Sequence, residues 1–189
     1  GHNVICIDNF NDYYSPAIKE RNISLVKEKL GSSKNQDFKL YRNDILDKEA
    51  LEEIFSGNNI DIVIHLAARA GVRPSINNAL LYEAVNVQGT INLLDCCRKY
   101  KVGRFVFASS SSVYGMNQQL PFSTHHNVDH PVSLYAATKK ANELMAHTYA
   151  HLFKIPCTGL RFFTVYGPYG RPDMALFKFV KAILHRQPI

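Results

Sequence analysis

Tyr135-Ala-Ala-Thr-Lys139 places a phenol and an ammonium four residues apart, a spacing that puts both side chains on one face of a helix. A cation beside a tyrosine favours the phenolate. It draws a pKa near 10 toward working pH, where the phenol can exchange a proton with a hydroxyl group. The same spacing also describes an ordinary solvated helix face, so the surrounding sequence has to decide. The run Phe105-Val-Phe-Ala-Ser-Ser-Ser-Ser-Val-Tyr-Gly115 reads as a buried strand that ends in four hydroxyls, Ser109 to Ser112. Strand ends are where open α/β sheets hold their ligands.

The elements that must position these groups alternate along the chain. Val4 to Asp8, Phe38 to Tyr41, Ile62 to Leu66, Phe105 to Ala108 and Cys157 to Phe163 are short, apolar, β-rich runs. Helical patterns lie between and after them: Pro16 to Leu30, Lys48 to Phe55, Ala79 to Tyr100, Leu134 to Phe153 and Ala175 to His185. Such alternation predicts an α/β fold, a doubly wound parallel sheet with helices on both faces and right-handed crossovers. Three more strand ends then become candidate ligand positions. Asp8, followed by Asn9, can accept two hydrogen bonds from ribose hydroxyls and would repel a 2′-phosphate, which favours NAD over NADP, although by itself a loop Asp capping the next turn is as plain an account. Asp44-Ile45 follows the second strand and can meet an adenine edge, although an N-cap role for Asp44 or Asp47 is as plain an account. Leu66-Ala67-Ala68 brings small residues to the third strand end, allowing close approach by a cofactor or ordinary helix–sheet packing.

Composition excludes several classes. The chain has 189 residues, 46% hydrophobic and 20% charged, enough to bury one sizeable core. Its net charge of +6 comes from dispersed Lys and Arg, which suits an anionic small molecule better than nucleic acid. Cys6, Cys96, Cys97 and Cys157 sit inside apolar segments without framework spacing, so reduced thiols and a cytoplasmic location are expected. No segment reads as a signal peptide, and no apolar run approaches the roughly 18 residues of a membrane span. His125, His126 and His130 lie in a Pro-, Asn- and Asp-rich stretch that reads as a solvated loop, so no metal site is expected.

A dinucleotide site needs a Gly-rich turn between its first strand and helix, where backbone N–H groups cradle the pyrophosphate. None of the ten glycines supplies it. Gly167-Pro-Tyr-Gly170 follows a late strand and holds a Pro where an N–H is needed. Gly1-His2 reads as the turn into a second strand. The expectation is a sheet lacking its first βα unit, in a chain that also stops early; residues 1–189 alone should bind NAD negligibly, turn nothing over and associate through an open sheet edge.

Ile7-Asp-Asn-Phe10, His65-Leu-Ala-Ala-Arg-Ala-Gly-Val-Arg73, Ser109-Ser110, Tyr135-x-x-x-Lys139, Arg161-Phe-Phe-Thr-Val-Tyr-Gly-Pro168 and Gly170-Arg-Pro-Asp-Met174 together carry a resemblance. The chain resembles the extended short-chain dehydrogenase/reductase family, and within it the nucleotide-sugar 4-epimerases, most of all those acting on UDP-glucuronate. The resemblance implies a Rossmann-like domain over residues 1–163 and the start of a substrate-binding region over 164–189. It implies NAD held by Asp8, Asn9, Asp44, Ile45, Leu66, Ala67, Ala68, Asn86, Ser109, Tyr135 and Lys139. Tyr135 is the implied base, Lys139 its partner and ribose ligand, and Ser110 the hydroxyl that orients the substrate's C4 oxygen. A UDP-sugar is the implied substrate and a homodimer the implied assembly, with neither nucleic acid nor membrane as partner.

Substrate choice rests on fewer residues. Arg73, Ser110, Ser111, Thr164 and Arg171 are the candidates. Either guanidinium can hold a glucuronate carboxylate in a bidentate pair, a partner that a neutral hexose lacks; either can also bind the diphosphate or face solvent. Thr164, at a position where many relatives in the wider family carry Asn, agrees with the glucuronate branch. Ser111 and Ser112 stand where the family's 4,6-dehydratases carry an acidic pair, and Ser112 where its decarboxylases carry Glu. A UDP-glucose 4-epimerase, a UDP-glucuronate decarboxylase, against which Ser112 argues, and a remnant that keeps the fold without turnover remain alternatives.

Overall fold

A computed structural model describes residues 2–31 and 37–189. Gly1, half of the expected turn before the first strand, lies outside the described residues.

The first compact unit comprises the described residues up to Arg42 together with Thr164–Ile189. Its strands β1 (Val4–Ile7) and β2 (Phe38–Tyr41) pair in parallel, Val4 opposite Phe38 and Ile7 opposite Tyr41. Between them runs helix α1 (Pro16–Leu30), opened by a Pro in its first turn, where the ring's missing N–H has no partner to lose. The unit also holds α7 (Ala175–Leu184). No described residue of this unit is fully buried.

The second unit, Asn43–Phe163, contains every buried residue among those described. Strands β3 (Ile62–His65), β4 (Arg104–Ala108) and β5 (Cys157–Leu160) form a parallel sheet with β4 central. Helix α2 (Lys48–Ser56) is capped by Asp47, whose carboxylate accepts from the Ala50 N–H at 3.0 Å, and buries Leu51, Ile54 and Phe55 on one face. Helix α5 (Gly89–Lys99) buries Leu93, Leu94, Cys96 and Cys97. Gly89 is required here, because a Cβ would lie 2.4 Å from Ile45 Cδ1. Helix α6 (Leu134–Phe153) is capped by Ser133, which accepts from the Ala136 N–H at 3.1 Å. Among the described residues β1 pairs only with β2 and β3 only with β4, so one edge of each is unpaired.

The predicted spans hold for β2, α1 and α6 to the residue and for the other strands and helices within a few positions. Three differences matter. The predicted strand Cys157 to Phe163 stops at Leu160, where the Phe162 N–H leaves the ladder and turns back to the Leu160 carbonyl at 2.9 Å. Two short elements were not predicted, α3 (Val72–Asn77) and a 3₁₀ turn over Ser111–Tyr114. The predicted long helix from Ala79 to Tyr100 is α4 (Ala79–Glu83), a π-helical turn over Ala84–Gln88 and then α5. In that wide turn the Gly89 N–H reaches back five residues to the Ala84 carbonyl, a distortion that recurs at functional sites.

Candidate active site

In the second unit, α6 carries Tyr135 and Lys139 and delivers Lys139 to the end of β4. Lys139 is buried, and its ammonium donates to the Ala108 carbonyl at 2.8 Å, the last residue of that strand. Burial lowers its pKa from the usual lysine value to about 8, so the ammonium persists at neutral pH while becoming a better proton donor. Ala108 is the single partner of this ammonium among the described residues. An ammonium carries three N–H donors. At least one more acceptor is therefore called for at this strand end.

The hydroxyl run divides by direction. Ser109 donates to Glu143 Oε1 at 2.6 Å. Ser110 accepts from the Ser112 N–H and donates to Ser112 Oγ, both at 3.1 Å, which caps the 3₁₀ turn. Ser111 is half-buried, held through its N–H by Phe162. Gly115 closes the turn at φ 58°, where a Cβ would meet the His130 carbonyl oxygen at 2.4 Å. Glu143 is gripped by Arg161 through Nε at 2.8 Å and Nη2 at 2.9 Å, and the guanidinium lies 5.0 Å over the Tyr114 ring. Burial alone would raise the Glu143 pKa, but the bonds from Arg161 and Ser109 hold it below the ordinary carboxylate value.

Asn86 ties the third strand end to α6. Its amide oxygen accepts from the Arg69 N–H at 2.8 Å, and its amide nitrogen donates to the Arg69 carbonyl and Thr138 Oγ1, each at 3.0 Å. Its backbone carbonyl accepts from Thr90 at 2.6 Å and from Asn142 at 2.7 Å. Since Thr90 has one hydroxyl proton and gives it to Asn86, the 2.9 Å contact between Thr90 Oγ1 and His65 Nε2 requires a protonated Nε2. Burial, helped by the charge of Lys139, lowers the His65 pKa to about 3. His65 is thus a neutral donor.

Other sequence candidates of this unit make none of those side-chain bonds. Asp44 accepts from the Leu46 N–H at 2.9 Å, while the capping role falls to Asp47. Ile45 is buried against Gly89, with its carbonyl accepting from Asn92 at 3.0 Å. Leu66 and Ala67 are exposed and Ala68 half-buried; Arg73 is exposed on α3. The sequence reading missed His65 and Thr90 as a pair, and it missed Thr138, Asn142 and Glu143. Only Glu143 left a signal, one turn beyond Lys139 on the same helix face.

In the first unit, Asp8 follows β1 and accepts from the Phe10 N–H at 2.7 Å, with Lys19 Nζ at 3.7 Å; Asn9 beside it is exposed. Arg171 donates through Nε and Nη2 to Asp173 at 2.9 and 2.5 Å and lies 5.1 Å over the Tyr13 ring. Thr164 is exposed.

A family profile described as the NAD dependent epimerase/dehydratase family matches residues 1–189. The chain belongs to that family. Protein CapI of Staphylococcus aureus is 51% identical over all of this chain and 54% of its own length. A probable UDP-glucuronate 4-epimerase of Rhizobium meliloti is 44% identical, again over 54% of its length. The crystal structure of the UDP-glucuronic acid 4-epimerase of Bacillus cereus in complex with UDP-glucuronic acid and NAD matches with a TM-score of 0.84 at 36% identity, over 98% of this chain and 56% of that one. The Rossmann-like α/β fold is thereby shown. The chain spans about half the length of the curated relatives it matches.

The residues present fit the family's cofactor. The buried Lys139 ammonium has donors left for a ribose hydroxyl, and Ala67-Ala68 offers no bulk at the adjacent strand end. Asp8 has a second carboxylate oxygen beside the one that accepts from Phe10. Among the described residues no three His, Cys, Asp or Glu side chains gather as a metal-holding group, and no helix is long and apolar enough to cross a membrane.

Proposed function

We propose that the full-length protein is an NAD-dependent UDP-sugar 4-epimerase that interconverts UDP-glucuronate and UDP-galacturonate. The observation that carries this reading is the buried Lys139 ammonium, fixed on the Ala108 carbonyl one helical turn from Tyr135. In this reading Tyr135 takes the proton of the sugar C4 hydroxyl, and Lys139 stabilises the phenolate. Bound NAD supplies reversible hydride exchange at C4. The 4-keto sugar then turns over in the site, and Tyr135 returns the proton as the hydroxyl reforms on the opposite face. Ser110, fixed by Ser112, orients the C4 oxygen; Asp8 accepts from the adenosine ribose.

Arg171 or Arg73 holds the carboxylate in this reading, which an epimerase must do because a β-keto acid loses CO₂ readily. One observation favours a second substrate, UDP-glucose. Asp173 already occupies two donors of Arg171, so glucuronate has to displace an internal carboxylate that a neutral hexose would leave in place. The glucuronate reading draws on the relatives named above and on Thr164. The resemblance also supports a homodimer of the full-length protein.

Tyr135→Phe in the full-length protein tests the assignment. Turnover of UDP-glucuronate, followed by NMR of the sugar anomeric protons, should fall by roughly 10²-fold or more with NAD affinity nearly unchanged, because only proton transfer is removed. Retained turnover would defeat it.

A further inference from the structure

Two buried residues outside the Tyr–Lys pair hold the Tyr135 side of the site. Tyr82 is 1% exposed, and its hydroxyl donates to the Ala70 carbonyl at 2.7 Å. Its ring meets the Tyr135 ring edge to face, centroids 6.3 Å apart and planes at 88°, an orientation favoured by the ring quadrupoles. Ser75 is wholly buried; its hydroxyl donates to the Val72 carbonyl at 2.6 Å and accepts from the Tyr135 N–H at 3.2 Å.

The Ser75 contact answers a need set by position. Tyr135 is the second residue of α6, and the first N–H groups of a helix have no acceptor inside it. Ser133 serves the Ala136 N–H through its side chain and the Ala137 N–H through its carbonyl. Neither bond serves Tyr135, whose N–H is served from α3 instead. One contact therefore fixes the base's backbone and the other its ring. Through Tyr82 and Ser75 they run on to Ala70, in the loop after Leu66-Ala67-Ala68, and to Val72, the first residue of α3.

We infer that Tyr82 and Ser75 are positioning residues for Tyr135, setting the phenol's place relative to the loop after β3. The inference rests on Tyr135 being the base. Proton transfer between heavy atoms tolerates little displacement, and a shift of about 1 Å costs on the order of 10²-fold in rate. A residue that only packs the core would change stability and leave turnover per folded molecule intact.

The test uses the full-length protein with NAD, well below the melting temperature of every variant. Tyr82→Leu removes both the ring contact and the tether, and should lower kcat about tenfold or more with KM for the UDP-sugar within about twofold. Tyr82→Phe keeps the ring and should recover most of that loss. Substrate deuterated at C4 adds a second readout: if proton removal falters in step with hydride transfer, the isotope effect on kcat rises in Tyr82→Leu and returns toward wild type in Tyr82→Phe. Should Tyr82→Leu fail to fold, Ser75→Ala and Tyr82→Phe carry the test, each expected to lower kcat about threefold with KM unchanged. Wild-type kcat in Tyr82→Leu, or in both milder variants where Tyr82→Leu does not fold, overturns the inference. Run beside them, an inactive Tyr135→Phe confines that failure to the positioning role, whereas an active Tyr135→Phe overturns the base assignment and this inference with it.

Discussion

The two compact units differ in how they hold their candidate residues. In Asn43–Phe163 the Tyr–Lys helix, the hydroxyl run and Asn86 are built into a core where Phe105 and Leu94 are fully buried, and Lys139, Ser109 and Asn86 are each bonded across elements. In the other unit no described residue is fully buried, and Asp8 and Arg171 are held by partners two residues away or by single side chains. Under the proposed reading, the proton-handling Tyr135 and Lys139 belong to the packed unit. Asp8 and Arg171, proposed to grip the ribose and the carboxylate, belong to the unit without a buried residue among those described.

The sharpest way to break this comparison is to cut equal side chains from both units. In the 189-residue chain Phe105→Ala should cost about 3–5 kcal/mol of urea-measured stability, while Phe177→Ala, at a position 47% exposed, should stay within about 0.5 kcal/mol. Equal costs would show the second core to be no tighter than the first.

Acid separates the units next. His65 stays neutral in the fold down to about pH 3, whereas unfolded histidine binds its proton near pH 6.5. The folded pKa is depressed, so between those values the unfolded chain holds the extra proton; the His65 contribution is intact above about pH 6.5 and is lost as pH falls toward 3. Urea unfolding at pH 7 and pH 4.5 should show a pH-linked loss smaller by about 2–3 kcal/mol in His65→Gln than in the parent. An unchanged difference would place the acid sensitivity elsewhere.

Selectivity sharpens the comparison from the looser side. Arg171→Ala in the full-length protein should weaken UDP-glucuronate by about 1.5–3 kcal/mol and UDP-glucose far less; equal losses would move Arg171 to the diphosphate. The smallest signal is a product. If Arg73 restrains the carboxylate, Arg73→Ala should release a detectable UDP-pentose by loss of CO₂, and its absence by mass spectrometry would free Arg73 from that role.

The legible parts of the fold were those fixed by local pattern. The helices over Pro16–Leu30 and Leu134–Phe153 and the β-rich run Phe38–Tyr41 carry their signals within their own residues. The break in the helix from Ala79 was not legible. It is set by Asn86, whose carbonyl is claimed by Thr90 and by Asn142, 56 residues away. Much the same divides the site. Tyr135, Lys139 and the serines announce themselves by spacing, but that Ser109 turns to Glu143, that His65 must donate to Thr90 and that Ser75 serves Tyr135 depend on contacts 25 to 60 residues apart.

Asn86 also has a timetable. Its side chain and carbonyl are complete only when Thr138 and Asn142 are in place, 52 and 56 residues later in the chain. The sheet beside it waits for Cys157–Leu160. During synthesis at about 5–20 residues per second, the Ala84–Gln88 stretch spends several seconds without the partners that hold its wide turn. Until α6 emerges, only Thr90 of the two side chains that claim the Asn86 carbonyl is present. The distortion is thus a late event in the life of each molecule, sealed by the same helix that brings Tyr135 and Lys139.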